Sequence, residues 1–166
     1  MAELVGIDRA RAILRFEPET GRVIRTATTG TRAKAGAVIG TKSNHGYLIA
    51  MVDYRIYQVH RLAWFLLHGE WPNGEVDHIN GDKADNRLAN LRVGSSSENK
   101  GNMPLSSRNK TGFKGVRWDH GAKKFRASIG VNSRHVHLGY RETAEEAHQL
   151  YRAAALRHFG EFARFE

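Results

Sequence analysis

The chain has 166 residues, with 26 Lys and Arg against 17 Asp and Glu, a net charge of +9 and a pI near 10.2. It has no cysteine, which excludes a disulfide scaffold and a thiolate zinc site. No apolar run approaches the ~20 residues that a membrane-spanning helix needs, and no membrane partner is expected. The opening MAELVGIDRARAIL carries early acids and no unbroken apolar core, a poor match to a secretory leader. The basic excess favours a polyanion partner, although a ribosomal or membrane-surface role would give the same total. It is uneven. Residues 1–99 carry 13 basic and 11 acidic side chains, a net of +2, whereas residues 100–166 carry 13 and 6, a net of +7.

Residues 10–56 read as short strands. Ala12 to Phe16 and Arg22 to Ile24 flank Glu17-Pro18-Glu19-Thr20-Gly21, a hairpin loop. Thr26 to Lys42 is rich in Thr, Gly and Ala and reads as a loop, either solvated or touching backbone phosphates. Gly46 to Val52 and Arg55 to Tyr57 predict a second hairpin turning at Asp53-Tyr54. Val59, Leu62, Ala63, Leu66 and Leu67 recur at helical spacing, and Gly69 stops that helix. His60 and Arg61 start it. His60 is either a group that approaches a phosphate or metal, or a hydrogen-bonded structural histidine.

The segment Glu75 to Asn99, EVDHINGDKADNRLANLRVGSSSEN, carries the chemistry. His78, with an ordinary pKa of about 6.5, accepts a proton at neutral pH. Asp77 offers the hard oxygen that Mg²⁺-like cations prefer, and Asn99 a neutral amide oxygen. So few protein ligands suit an ion that keeps waters and accepts phosphate oxygens. Asn90 holds the loop or orients the imidazole. Adjacent strand residues point to opposite faces, so Asp77 and His78 act together only if the strand ends there; Asn80-Gly81-Asp82 is the turn that ends it. Ser95 and Glu98 form a capping box that starts a helix bearing Asn99. Asp82 and Asp85 read as solvent-facing or ion-paired. Arg87 and Arg92 are two candidates to contact the scissile phosphate, and Leu88 and Leu91 anchor the loop in a small core.

With VDHING, DNRLANLR and SSSEN around Asp77-His78, Asn90 and Asn99, the stretch resembles an HNH nuclease motif. It is similar to the strand-strand-helix metal finger of homing endonucleases, in the variant with Asn in place of the last His. The HRLAW text at His60 to Trp64 extends the resemblance upstream. The resemblance implies that His78 is the general base, that Asp77 and Asn99 hold a divalent metal, and that Asn90 supports the His loop. Mg²⁺ is the first choice, with Mn²⁺ or another divalent ion as alternatives.

Lys100 to Thr111 is polar and reads as a basic linker. Phe113 to Trp118 is then a short strand. Lys124 to Val131 alternates, with Phe125, Ala127, Ile129 and Val131 on one face; Asn132-Ser133 turns, and Arg134 to Tyr140 is a third strand. Thr143 and Glu146 cap a helix that continues through Ala147, Leu150, Tyr151, Ala154 and His158 to Gly160. The sheet face away from this helix carries Arg and Lys, suited to a DNA groove. The text GVRW, KFRASI and HLGYRETAEEA resembles the plant ethylene-response-factor (APETALA-type) DNA-binding domain. That resemblance implies a sheet that reads duplex DNA, with Lys114, Arg117, Lys124 and Arg126 on or near its contact strands and Arg134 and His137 on the third. The chain departs from the plant pattern at Asp119-His120-Gly121-Ala122, where an Arg-rich stretch with a Trp is usual, and at His137, which replaces a Trp.

The expectation is an α+β chain in two modules. Residues 1–99 form a nuclease domain of β-hairpins and a helix leading into a ββα-metal core at 75–102. Residues 100–111 are a linker, and 112–166 a three-stranded antiparallel sheet packed on one helix. The expected function is site-specific, metal-dependent hydrolysis of double-stranded DNA, in the cytoplasm of a bacterial or phage-infected cell, as monomer or homodimer. The rival is a DNA-binding regulator with a decayed nuclease core. RNA binding is disfavoured, because the sheet lacks the paired aromatics that stack unpaired bases.

Overall fold

The computed structural model describes residues 4–166, so the first three residues of the segment weighed as a leader lie outside it. The chain divides into two compact units, Met1–Val93 and Gly94–Glu166. The expected boundary lay at 100–111. The observed one is earlier because the helix bearing Asn99 packs within the second unit.

In the first unit, helix α1 spans Ile7–Ile13 and strand β1 Leu14–Glu17, antiparallel to β2 at Arg22–Arg25. The hairpin is where the sequence places it, but Ala12 and Ile13 end a helix rather than start a strand. The apolar run through Phe16 conceals the change of period. The Thr26 to Lys42 loop contains two short strands, β3 at Val38–Ile39 on β2 and β4 at Thr41–Lys42. β4 pairs with β5 at Leu48–Val52, which pairs with β6 at Arg55–Gln58. Asp53 and Tyr54 both have positive φ, 44° and 62°, the twist that a two-residue hairpin loop requires. Arg9 clamps this turn through two bonds of 2.9 and 3.1 Å to the Asp53 carboxylate.

Helix α2, Val59–His68, ends at Gly69 with φ 83°, whose N–H donates to the Phe65 carbonyl. Its buried face is Val59, His60, Leu62, Ala63, Phe65 and Leu66, while Leu67 turns outward. Leu62 is fully buried with Leu14, Val23 and Val52, each such side chain contributing about 1.5–3 kcal/mol. Trp71 stacks on Phe65 at 4.2 Å and on Tyr57 at 5.4 Å. Strand β7 is Glu75–His78, paired with β8 at Leu91–Gly94; a 3-10 turn at Leu88–Asn90 leads into β8.

In the second unit, helix α3 spans Ser96–Gly101 and opens with the expected Ser95/Glu98 capping box. Gly101 lies against the Phe159 ring, where a Cβ would come within 2.7 Å. The sheet order is β11-β10-β9, all antiparallel: β9 at Val116–Asp119, β10 at Lys124–Val131 and β11 at Arg134–Arg141. β9 begins three residues later than expected, after a turn in which Gly115 has φ 77° and faces Tyr151. Helix α4, Ala144–Phe159, has the Thr143/Glu146 capping box. Its core contacts are Ala147, Tyr151, Ala154, Ala155 and Phe159 against Val116, Ala127 and Ile129. Phe159, not His158, closes the apolar stripe; His158 is exposed. The end of the expected linker is built onto the sheet. Asn109 Nδ2 donates to the Phe113 and Val116 carbonyls, and its Oδ1 accepts from the Thr111 and Gly112 amides.

Candidate active site

β7 ends at His78, as the pairing of Asp77 with His78 demanded. Burial alternates along it: Val76 and His78 are buried, and Asp77 is half-buried. The Asn80-Gly81-Asp82 turn follows, with Gly81 at φ 79° and the Asn80 Oδ1 accepting from the Asp82 amide at 2.8 Å.

The imidazole of His78 is 3% exposed. Its Nε2 lies 2.9 Å from the Oδ1 of Asn86, itself 2% exposed. The ring of His60 meets it edge-on at 4.9 Å between centroids, and Tyr47 lies 6.0 Å away. His60 is 3% exposed, and its Nδ1 has no hydrogen-bond partner among the described residues. Burial, with the nearby His78 and Arg61, pushes the His60 pKa down to about 3, so its ring is neutral at physiological pH. Burial and the charge of Asp77 raise the Tyr47 hydroxyl. Of the two sequence readings of His60, the structure places it against the imidazole of His78.

Asn90 is buried and spans the loop. Its Oδ1 accepts from the Asn80 amide at 3.0 Å, and its Nδ2 donates to the Asp85 carbonyl at 2.8 Å. It therefore holds the loop, while the side chain that touches the imidazole is Asn86. Sequence reading missed Asn86. An Asn in a polar run such as Ala84-Asp85-Asn86-Arg87 reads as loop chemistry, and only its burial marks it out.

Arg92 donates Nε and Nη2 to the Asp77 Oδ2 at 3.2 and 3.0 Å, with both side chains largely covered. Arg87 forks onto the Asp85 carboxylate and draws its pKa down to about 2. Asp85 is thus ion-paired, as expected. Arg61 donates to the Gly74 and Pro72 carbonyls at 3.0 and 3.4 Å, fastening the turn before β7 to α2. Leu91 is buried in the core, and Leu88 is half-buried. Asn99 lies in α3, its amide donating to the Ser95 carbonyl.

The resemblance read from the sequence implies a divalent metal. Among the described residues no three His, Asp or Glu side chains converge as a metal cluster. The donor chemistry nevertheless suits a hard ion that keeps most of its shell as water and phosphate oxygens. Asp77 would supply a carboxylate, and the chain has no thiolate that would favour a softer ion.

In the second unit, β-register sorts the basic residues. Arg117, Arg126 and Tyr140 stand opposite one another across the three strands, and Ser128 stands opposite His137, all on the face away from α4. Arg126 Nε donates to the His137 Nδ1 at 3.2 Å. Lys124 shares that face and is paired with Glu142 at 2.6 Å. The two-residue turn at Asn132-Ser133 sets Arg134 opposite Val131, on the other side, at the exposed hairpin end, and a bulge at Leu138 shifts the register only beyond His137. Lys114 leaves the contact face altogether. Its ammonium donates to the carbonyls of Gly101, Met103 and Arg164 at 2.6, 2.5 and 3.0 Å, and burial pushes its pKa down to about 8.

A protein-family model described as HNH endonuclease matches residues 57–100, the stretch from the end of β6 through α2, β7, the clasped loop and β8 into α3. That match and the histidine site inside it define the class: a DNA-cleaving enzyme of the HNH type. Protein 3.8 of Escherichia phage T7 is 30% identical over 113 residues, which cover 68% of this chain and 93% of the relative. At that coverage the chain belongs to the family of the phage T7 protein. An uncharacterized HNH endonuclease, L560, of Acanthamoeba polyphaga mimivirus is 33% identical over 120 residues, 71% of this chain and 61% of that relative's length. A solved structure described as "DNA binding and cleavage by the HNH homing endonuclease I-HmuI" is similar over 63% of this chain and 62% of that one, with 21% identity and a TM-score of 0.44.

Proposed function

We propose that the chain is a metal-dependent, site-specific endonuclease of the homing type that hydrolyses phosphodiester bonds in duplex DNA. In this reading His78 takes a proton from the attacking water. The observation that carries it is the buried His78 imidazole, hydrogen-bonded at Nε2 and walled by His60 and Tyr47. A base held in one orientation at the end of a strand needs no reorganisation when water is deprotonated. Asp77, kept in place by Arg92, would hold the metal with Asn99, which is assigned from the sequence spacing alone. Mg²⁺ is the first candidate. When bound, the ion stabilises the leaving 3′ oxygen. The products are then a 5′-phosphate and a 3′-hydroxyl. Asn90 keeps the His loop closed.

The second unit, read as an ethylene-response-factor-like domain, positions the enzyme. Arg117, Arg126, His137 and Lys124 share one sheet face, suited to phosphates and base edges. The metal finger alone reads little sequence, so this face supplies placement.

Supercoiled plasmid carrying host or phage DNA, incubated with Mg²⁺ or Mn²⁺ and in parallel with chelator, tests the reading. Wild type is expected to nick or linearise the plasmid only with metal. His78→Ala should lose about 10²–10⁴-fold in rate while its DNA affinity stays within twofold. Salt-sensitive binding without cutting by wild type would instead favour the non-catalytic regulator.

A further inference from the structure

We propose that Asn86 is the positioning residue of the active site: its carboxamide oxygen accepts the Nε2 proton of His78 and so makes Nδ1 the basic atom. The inference rests on the reading of His78 as the base and adds which atom does the work and what fixes it.

The argument begins with hydrogen-bond capacity. An amide oxygen only accepts, and a neutral imidazole carries one N–H. With Oδ1 of Asn86 2.9 Å from Nε2, the proton sits on Nε2 and the lone pair on Nδ1. Both groups are buried, at 3% and 2% exposure, so water does not compete for the bond. The ring also has little room to turn, with His60 edge-on at 4.9 Å and Tyr47 tilted at 6.0 Å.

Asn86 is itself held by distant parts of the first unit. On one side the β1–β2 turn closes on it. Gly21, at φ 71°, packs against the Asn86–Arg87 peptide so tightly that a Cβ would lie 2.5 Å from the Arg87 nitrogen. The Leu88 amide donates to the Pro18 carbonyl at 2.9 Å, completing that clamp. On the other side, Asn90 Nδ2 grips the Asp85 carbonyl. The peptide carrying Asn86 is therefore pinned before and after the residue. This gives the N-terminal hairpin a catalytic consequence, because it sets the acceptor that sets the tautomer. Outer-sphere partners of this kind typically change rates by about 10–100-fold when removed.

The test uses the full chain. Long-range ¹H–¹⁵N spectra of its histidine rings, with His78→Ala for assignment, should show the His78 proton on Nε2; a proton on Nδ1 overturns the proposal. In single-turnover cleavage of supercoiled plasmid with Mg²⁺ or Mn²⁺, Asn86→Leu is expected to cut about 10–100-fold more slowly with unchanged DNA affinity. Wild-type cutting by Asn86→Leu overturns the proposal. If Asn86→Leu does not fold, Asn86→Asp, which keeps an acceptor oxygen, carries the test. It should hold the proton on Nε2, and a shift to Nδ1 counts against the assignment. A His78→Ala protein that cuts at the wild-type rate would sink the base reading itself, whatever the tautomer spectra show.

Discussion

His78, Asn86, Asn90 and His60 are at most 7% exposed, and three of the four are tied by hydrogen bonds of 2.8–3.0 Å. Arg117 and His137 in the second unit stand in water, and Lys124 is held by an exposed carboxylate. The same residue types serve opposite ends. In the first unit polar groups are withdrawn from water, and His78, Asn86 and Asn90 are fixed by bonds to named partners, so that removing a partner leaves a buried group unsatisfied. In the second they remain exposed to water, where positive charge is suited to a polyanion. The first arrangement makes geometry, and the second makes field.

If that contrast holds, the largest stability effect should come from the buried loop clasp. Asn90→Ala removes the acceptor for the Asn80 amide and the donor to the Asp85 carbonyl, with an expected loss of about 2–4 kcal/mol. Denaturant unfolding measures it. A loss under about 1 kcal/mol would show that solvent replaces both bonds and that the loop is not held from inside.

A second effect of the same origin appears only in acid. His60 is held down at about 3 by burial, against about 6.5 in an unfolded chain. Between these values the unfolded chain binds a proton that the fold refuses. Stability is therefore fully present above about pH 6.5 and falls as the pH drops toward 3, by up to about 1.4 kcal/mol per unit. His60→Phe should flatten this acid limb in unfolding midpoints measured from pH 7 to pH 4. An unchanged slope would assign the acid loss to other groups.

The sequence made part of this contrast legible. Asp77-His78, Asn90 and Asn99 stood out because turn and capping signals fixed the elements around them, and Gly81 and the Ser95/Glu98 box appear where expected. The second unit was legible for the same reason: alternation along Lys124 to Val131 and the Thr143 cap are local patterns. What escaped depends on contacts far along the chain. Asn86 faces a histidine eight residues away, and its backbone is clamped by Gly21, 65 positions earlier. Helix α1 has no side-chain N-cap and runs straight into β1, so no punctuation marked it.

Lys114 and Arg126 make the sharpest small test. Each adds one positive charge, and the sequence alone ranks them together. Arg126 lies on the outer sheet face beside His137, whereas the Lys114 ammonium has its three donors on three carbonyls, one of them 50 residues away. Arg126→Ala should therefore lower the slope of log affinity against log salt by about 1, as expected for one lost phosphate contact. It should leave the unfolding midpoint nearly unchanged. Lys114→Met should do the reverse, with the salt slope unchanged and stability down by about 1–3 kcal/mol as its carbonyls lose their donor. Equal slope changes in both variants would mean that Lys114 reaches the phosphates too. Charge would then count in this unit wherever it is placed, and the division between buried geometry and exposed field would fail at a half-buried lysine whose ammonium is held by three carbonyls.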